Sequence, residues 1–273
     1  MVGQVPKLCG DRLAEPIFER AKQTNRNPDH SMLRSIKQLY GEKLSAADGE
    51  VGHVKDFYFD DEYWAVRYVV VETGLWLPGR QVLISPHSFG NFYQNGDSLL
   101  VELSRKQIEK SPPVDAHKPV SRQYEEEFYR FYGLPNYWNG MELWGGASYP
   151  VAPPPTLLRS AGHGGSSGNK DSHLRSSRSV VGYHIQARDG PIGRVTDFMF
   201  DDKRWTIRHM VVETGHWFSG KEIVISPSDI ERISYEESMV NVTVTEAAIR
   251  GAAEYHMPRA KYHDARELSE STL

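Results

Sequence analysis

Between residues 41 and 103, apolar and polar positions alternate in short runs broken by turn residues. Val54, Phe57 and Phe59 interleave with Asp56, Tyr58 and Asp60, and the adjacent acids Asp60-Asp61 close the segment as at a turn. A β-branched run from Val66 to Thr73 follows and stops at Gly74. A third run, Val82-Leu83-Ile84, stops at Ser85-Pro86, because a residue without an amide hydrogen cannot continue a central strand. Leu99, Val101 and Leu103 then share one face of a last strand. Upstream, Asp48-Gly49 lies between extended segments and supplies the positive φ angles of a tight hairpin. The pattern predicts five or six short antiparallel strands, and so small a sheet hides its edges best by closing into a barrel.

The whole pattern occurs twice. Residues 41–86 and 182–227 align without a gap at a constant offset of 141: Gly41 to Gly182, Trp64 to Trp205, Pro86 to Pro227. The second copy has its own acid pair, Asp201-Asp202, and its own β-branched run, Ile207 to Thr214, ending at Gly215. Leu99, Val101 and Leu103 return as Val240, Val242 and Val244, whereas Leu100 and Glu102 become Asn241 and Thr243. A half-buried strand behaves this way, with a constrained core face and a free solvent face. The expected fold class is mainly β: two small antiparallel β-barrels in tandem, with short helices in the linker and tail. The expected division is an N-terminal arm (1–30), barrel 1 (31–110), a linker that is aromatic and then Gly/Pro/Ser-rich (111–172), barrel 2 (173–250) and a tail (251–273).

Residues 106–172 belong to neither copy. Lys106 to Lys110 read as a helical turn stopped by Pro112-Pro113, and Gln123 to Tyr132 as a short helix. Tyr124, Phe128 and Phe131 or Tyr132 form an aromatic stripe at spacings of three and four. Such a stripe either packs on a barrel or serves as a docking face. Tyr137-Trp138 and Leu143-Trp144 follow, as barrel plugs or interface anchors. The stretch from Pro153 to Asp171 is expected to be mobile, residues 1–30 poorly ordered, and the tail after Thr245 helical at its start.

Composition narrows the function. Net charge is −4 and the pI about 6.3, whereas phosphate-binding surfaces show a basic balance, so nucleic-acid binding is not expected. Cys9 is the one cysteine, which precludes an intrachain disulfide and suits a reducing compartment. With no secretory pattern and no long apolar run, the expectation is a cytoplasmic protein without a transmembrane segment. Acids recur in both copies (Asp56, Asp60, Asp61, Glu72; Asp197, Asp201, Asp202, Glu213). They could bind a hard cation or act as acid and base; as scaffold they would cap turns and pair with Arg67 and Arg208. The scaffold reading is preferred, since a repeated module repeats its scaffold. His53 and His216 do not recur, Pro258 separates His256 from His263, and no zinc-ligand spacing occurs. Ser85 and Ser226 lack a nucleophile context, Cys9 lies in the arm, and the glycines from Gly162 to Gly168 lack the ending of a phosphate loop. No catalytic, cofactor or metal residue is expected. Trp64 and Trp205 are expected in the core; Trp76 and Trp217, just past a turn, are candidates for contact between barrels or between chains.

These residues resemble the PRC-barrel family. The resemblance rests on the G-x-V-x-D-F-x-F-D-D stretch (Gly52 to Asp61, Gly193 to Asp202), V-V-E-T-G (Val70 to Gly74, Val211 to Gly215) and I-S-P (Ile84 to Pro86, Ile225 to Pro227). It covers about 31–145 and 173–250. The arrangement is similar to bacterial tandem members in which a segment like Val120 to Gly133 separates two barrels. The resemblance implies a non-enzymatic protein-interaction or assembly module with no common catalysis. The barrels would pack on each other around a pseudo-twofold axis, with room for a homodimer. The partner is an unidentified protein, and the candidate interface residues are Trp76, Trp217, Tyr124, Phe128, Phe131, Trp138 and Trp144. Two alternatives follow from relatives: a ribosome- or RNA-associated assembly factor, by similarity to the C-terminal domain of a ribosome maturation factor, or an accessory of a photosynthetic or electron-transfer complex, by similarity to the reaction-centre H subunit.

Overall fold

The structure, a computed structural model, describes residues 32–89, 98–114, 120–140, 142–150, 174–215, 220–252 and 254–255. The first half starts with strand β1 (Leu33–Ser35) and a single helical turn, α1 (Ile36–Leu39). Strands β2 (Lys43–Ala46), β3 (Gly49–Asp60), β4 (Ala65–Glu72), β5 (Gln81–Ile84) and β6 (Leu99–Leu100) follow, and then α2 (Arg105–Glu109). The linker contributes α3 (Arg122–Tyr132). The second half repeats the order as β7 (Leu174–Ser176), α4 (Ser177–Val180), β8 (His184–Gln186), β9 (Pro191–Asp201), β10 (Thr206–Thr214) and β11 (Glu222–Ile225). It ends with β12 (Ile230–Ser234), β13 (Met239–Val242) and α5 (Glu246–Gly251). The structure shows the expected mainly β class with short helices, but the sheets are not antiparallel throughout: β2 pairs parallel with β6 and β8 parallel with β13, each across the return of the chain to its own hairpin. The arm 1–30, Pro153 to Asp171, Cys9, His256, His263 and Trp217 lie outside the described residues.

Each half is a curled sheet. In the second the strand order is β12-β13-β8-β9-β10-β11, so β11 and β12 are the two edges. Flat, those six strands would be about 24 Å across. The link between the edges, Ser226 plus the 3-10 turn Pro227–Asp229, reaches only about 18 Å fully stretched. The sheet must therefore bend its edges toward each other. In the first half the order is β6-β2-β3-β4-β5, with Phe89 bridged to Val101 where β12 lies in the second.

Irregularities in the ladders are as informative as the strands. The register of β3 on β4 shifts between Val54 and Asp56 and between Tyr58 and Phe59. The first shift explains why the buried positions step from Val54 to Phe57, a slip that strict alternation forbids. The second leaves Arg67 as the extra residue on β4. Matching shifts occur in β9–β10, the first leaving Arg208 over. Gly52 and Gly193 let these strands cross closely: a Cβ there would lie 1.9 Å from the Glu72 carbonyl oxygen and 2.0 Å from that of Glu213.

The halves are joined by reciprocal exchange. Strand β1 pairs with β9 of the second half, in the register Leu33 to Asp201 and Ser35 to Met199. Strand β7 pairs with β3 of the first, with Leu174 opposite Asp60 and Ser176 opposite Tyr58. Where β4 meets β10, Val66 N–H donates to the Trp205 carbonyl and Ile207 N–H to the Trp64 carbonyl, each at 2.7 Å. Beneath, Phe57 meets Phe200 and Phe59 meets Phe198 at ring-centre distances of 6.1 and 5.2 Å. One hydrophobic core runs through both halves.

A shared core and exchanged strands make the halves one folding unit. Unfolding in urea is expected to give a single transition, coincident by tryptophan fluorescence and far-ultraviolet circular dichroism. Two separated transitions would contradict the shared core.

Candidate functional site: the exchange seam and the linker patch

The seam is built from one sequence triplet and two acids in each half. Helix turn α1 needs an N-cap, and Ser35 supplies it by accepting from Gln38 N–H at 3.0 Å. The same hydroxyl donates to Asp197 Oδ2 at 2.5 Å, while Lys37 N–H donates to Asp197 Oδ1 at 2.9 Å. Arg34 Nε donates to Asp202 Oδ2 at 2.7 Å. The second half mirrors this. Ser176 caps α4 and donates to Asp56 Oδ2 at 2.5 Å, Arg178 N–H reaches Asp56 Oδ1 at 3.1 Å, and Arg175 Nε reaches Asp61 Oδ2 at 2.6 Å. Burial pushes the carboxyl pKa values of Asp56 and Asp197 up, and the donated hydrogen bonds oppose that shift.

The recurring acids therefore divide the work. Asp60 and Asp201 cap the following turns, accepting from Glu62 and Lys203 N–H, and pair with Arg67 and Arg208. Glu72 and Glu213 lie beside Lys55 and Arg194 at 3.6 and 3.7 Å. Asp56, Asp61, Asp197 and Asp202 bind the other half's arm. The alignment window beginning at Gly41 left that arm out. Its signal was nevertheless present, since Leu33-Arg34-Ser35 recurs as Leu174-Arg175-Ser176 at the same offset of 141.

The linker folds onto the outer face of β4 and β5. Phe128 and Tyr129 are buried against Tyr68, Val70 and Leu83. Tyr68 meets Phe128 edge-on at 5.2 Å. Glu125, 2% exposed, accepts from Tyr137 Oη at 2.7 Å and Tyr68 Oη at 3.2 Å and pairs with Arg122 at 2.9 Å. Burial raises its carboxyl pKa, against the pull of Arg122. Below lies Arg67, 1% exposed, bonded to Asp60 Oδ2 at 3.2 Å and the Leu143 carbonyl at 2.7 Å. Its guanidinium lies 3.7 Å from the centre of the Tyr137 ring, and its buried Nε has no hydrogen-bond partner among the described residues.

The expected interface residues fall in different places. Trp76 packs within its own half, donating to the Val51 carbonyl at 2.5 Å with the Arg105 guanidinium 4.5 Å above its ring. The contact between halves runs through Trp64 and Trp205 instead. Both adopt left-handed backbone (φ 55° and 56°), unusual for so bulky a residue. Tyr124 is half-buried and donates to the Pro112 carbonyl at 3.0 Å; Phe128 is buried. Trp138 meets Tyr129 edge-on at 5.3 Å and lies beneath Arg122. Trp144 is buried at 1% exposure, and its indole donates to the Arg204 carbonyl of the second half at 3.0 Å. Phe131 remains 42% exposed, beside Lys110, Pro113 and Arg130 around a depression of about 360 Å³.

The remaining polar groups suit packing better than chemistry. Ser85 Oγ lies 3.0 Å from His87 Nδ1, but the two are 1% and 3% exposed, and Trp144 and Tyr129 close over the imidazole edge-on. A nucleophile so enclosed has no approach for a substrate. No group of three or more His, Cys, Asp or Glu side chains among the described residues is placed to hold a metal ion. No helix among them is long and apolar enough to cross a membrane.

Two measurements test this electrostatic picture. Arg67→Ala leaves Asp60 buried without its cation and is expected to cost about 3–5 kcal/mol. Arg208→Ala, where the arginine side chain is 28% exposed and water can approach the equally buried Asp201, is expected to cost less, about 1–2 kcal/mol. Equal losses in chemical denaturation would refute the asymmetry. Burial and Arg208 lower the His209 pKa to about 4. Neutral His209 therefore contributes stability that is complete above the unfolded value near 6.5 and is lost as pH falls toward 4. That loss is on the order of 3 kcal/mol, and it should be absent from the pH–stability curve of His209→Gln relative to the unsubstituted chain.

No curated protein matches the chain. The family model of the PRC-barrel domain matches residues 174–249, from the first residue of the exchanged strand β7 into α5. The second half of this chain is thus similar to the PRC-barrel domain over residues 174–249.

Proposed function

We propose that the chain is a non-enzymatic protein-interaction module made of two PRC-type barrels in tandem, the first a diverged copy of the second. The gapless repeat and the repeated order of elements support the tandem reading. The enclosed Ser85–His87 pair supports the non-enzymatic one.

The observation that carries the interaction reading is the unequal finish of two like scaffolds. The first half is sheathed by a linker with no counterpart among the described residues of the second, and that sheath leaves Phe131 exposed beside Lys110, Arg130 and Glu127. Aromatic and arginine side chains together are the usual anchors of protein interfaces. A protein partner presenting an apolar group, flanked by polar groups that meet Lys110, Arg130 and Glu127, fits this surface.

The test starts from the complex isolated under native conditions. Chemical cross-links are expected to join the partner to Lys106 or Lys110. Phe131→Ser should weaken retention of the partner at least tenfold with unchanged thermal stability, the size expected for one anchor residue. A partner cross-linked only to the second half, or retention unaffected by Phe131→Ser, would overturn the assignment of this surface.

A further inference from the structure

We propose that a second copy of this chain is a binding partner, held by the same arm-and-socket exchange acting between chains. The inference is independent of the linker surface, because it uses only the seam.

Neither arm closes on its own half. Leu33-Arg34-Ser35 pairs with β9, and Leu174-Arg175-Ser176 pairs with β3. A folded half therefore requires another half to receive its arm and to fill its socket. The sockets share the same principal contacts, Asp56 accepting in addition from the Ser177 hydroxyl where the other arm has Ile36. In each, one buried aspartate takes a serine hydroxyl and a backbone N–H from the arm's helix turn, and a second aspartate takes the arm's arginine. The arms are the same triplet. Nothing in these contacts distinguishes a half on the same chain from a half on another.

The first half of one copy can thus pair with the second half of another, and the reverse. The result is a closed twofold dimer in which all four sockets are filled and no new contact is needed. What favours the single chain is connectivity alone. A covalent link between two modules sets an effective concentration on the order of millimolar, so the single-chain form dominates at micromolar concentration. Passage between forms requires opening the shared core, so each form persists once made.

Two experiments on the full chain decide the matter. One variant carries Arg34→Asp and Arg175→Asp, reversing both arms; the other carries Asp61→Arg and Asp202→Arg, reversing the matching sockets. Each alone sets like charges against each other at both seams. Mixed in denaturant and refolded together, they are expected to form a heterodimer, seen by size exclusion with light scattering, outnumbering self-pairs at least tenfold and melting above either variant alone. A mixture of two monomeric species would overturn the proposal. The unsubstituted chain, refolded over a concentration series, should give a dimer fraction that rises with concentration and survives dilution. Monomer throughout would overturn it, whether or not the variants fold alone. Phe131→Ser should leave the dimer fraction unchanged, which separates this inference from the linker surface.

Discussion

A carboxylate buried at a β-bulge needs donors, and in this protein the donors come from the other half. Asp56 and Asp197 are each 8% exposed or less and sit where the strand register slips. Left without partners, a buried carboxylate costs several kcal/mol. Each is instead met by a serine hydroxyl, by one backbone N–H of a helix turn (Lys37 or Arg178), and by the N–H of its own following residue. The helix turn gains equally, because one of its unpaired N–H groups finds an anion. Socket and arm satisfy each other, so neither half is complete alone. The paired strands, the crossed carbonyls of Trp64 and Trp205 and the shared aromatic core follow from that placement.

The symmetry of the seam contrasts with the outer faces. Tyr68 of the first half corresponds to His209 of the second, and Ser85 with His87 to Ser226 with Ser228. Arg67 is buried under the linker, while its counterpart Arg208 retains solvent access. Over the second half, Leu33 and Tyr255 cover Met199, Val211 and Val224, and Tyr255 N–H bonds the Glu222 carbonyl at the β11 edge. The same scaffold thus carries two different coats. The linker's polar core of Glu125, Tyr137 and Arg122 belongs to one coat only.

Much of the fold was legible because local rules and tertiary structure agree along each copy. Asp48-Gly49 makes its hairpin, Ser85-Pro86 ends its strand, and Thr245 caps the helix expected after it. Val54, Phe57 and Phe59 were read as one alternating face, and the bulge between Val54 and Asp56 is what lets a strand with that spacing bury all three. The seam was harder to read. A three-residue strand has no periodicity of its own, so Leu33-Arg34-Ser35 shows only as a repeated triplet. The left-handed conformations of Trp64 and Trp205 left no trace at all, since composition gives no reason to place so large a residue there. The acids were recognised as scaffold, but periodicity within one copy cannot tell a turn cap from a socket for the other copy. The aromatic stripe was read as able to pack or to dock, and the helix packs through Phe128 while leaving Phe131 exposed.

Duplication and exchange together explain why the halves could diverge where they did. In a dimer of identical chains, any change to an outer face appears twice. Once the two halves share a chain, each outer face changes alone, provided the seam keeps its triplets and its four aspartates. The tether also replaces a concentration-dependent association with an intramolecular one, so the seam does not need to be strong enough to hold separate chains at low concentration. It needs only to be self-complementary. Conserved contacts and independent surfaces are thus two consequences of one arrangement. The parts that match between halves hold the molecule together, and the parts that differ are where a partner can tell one half from the other.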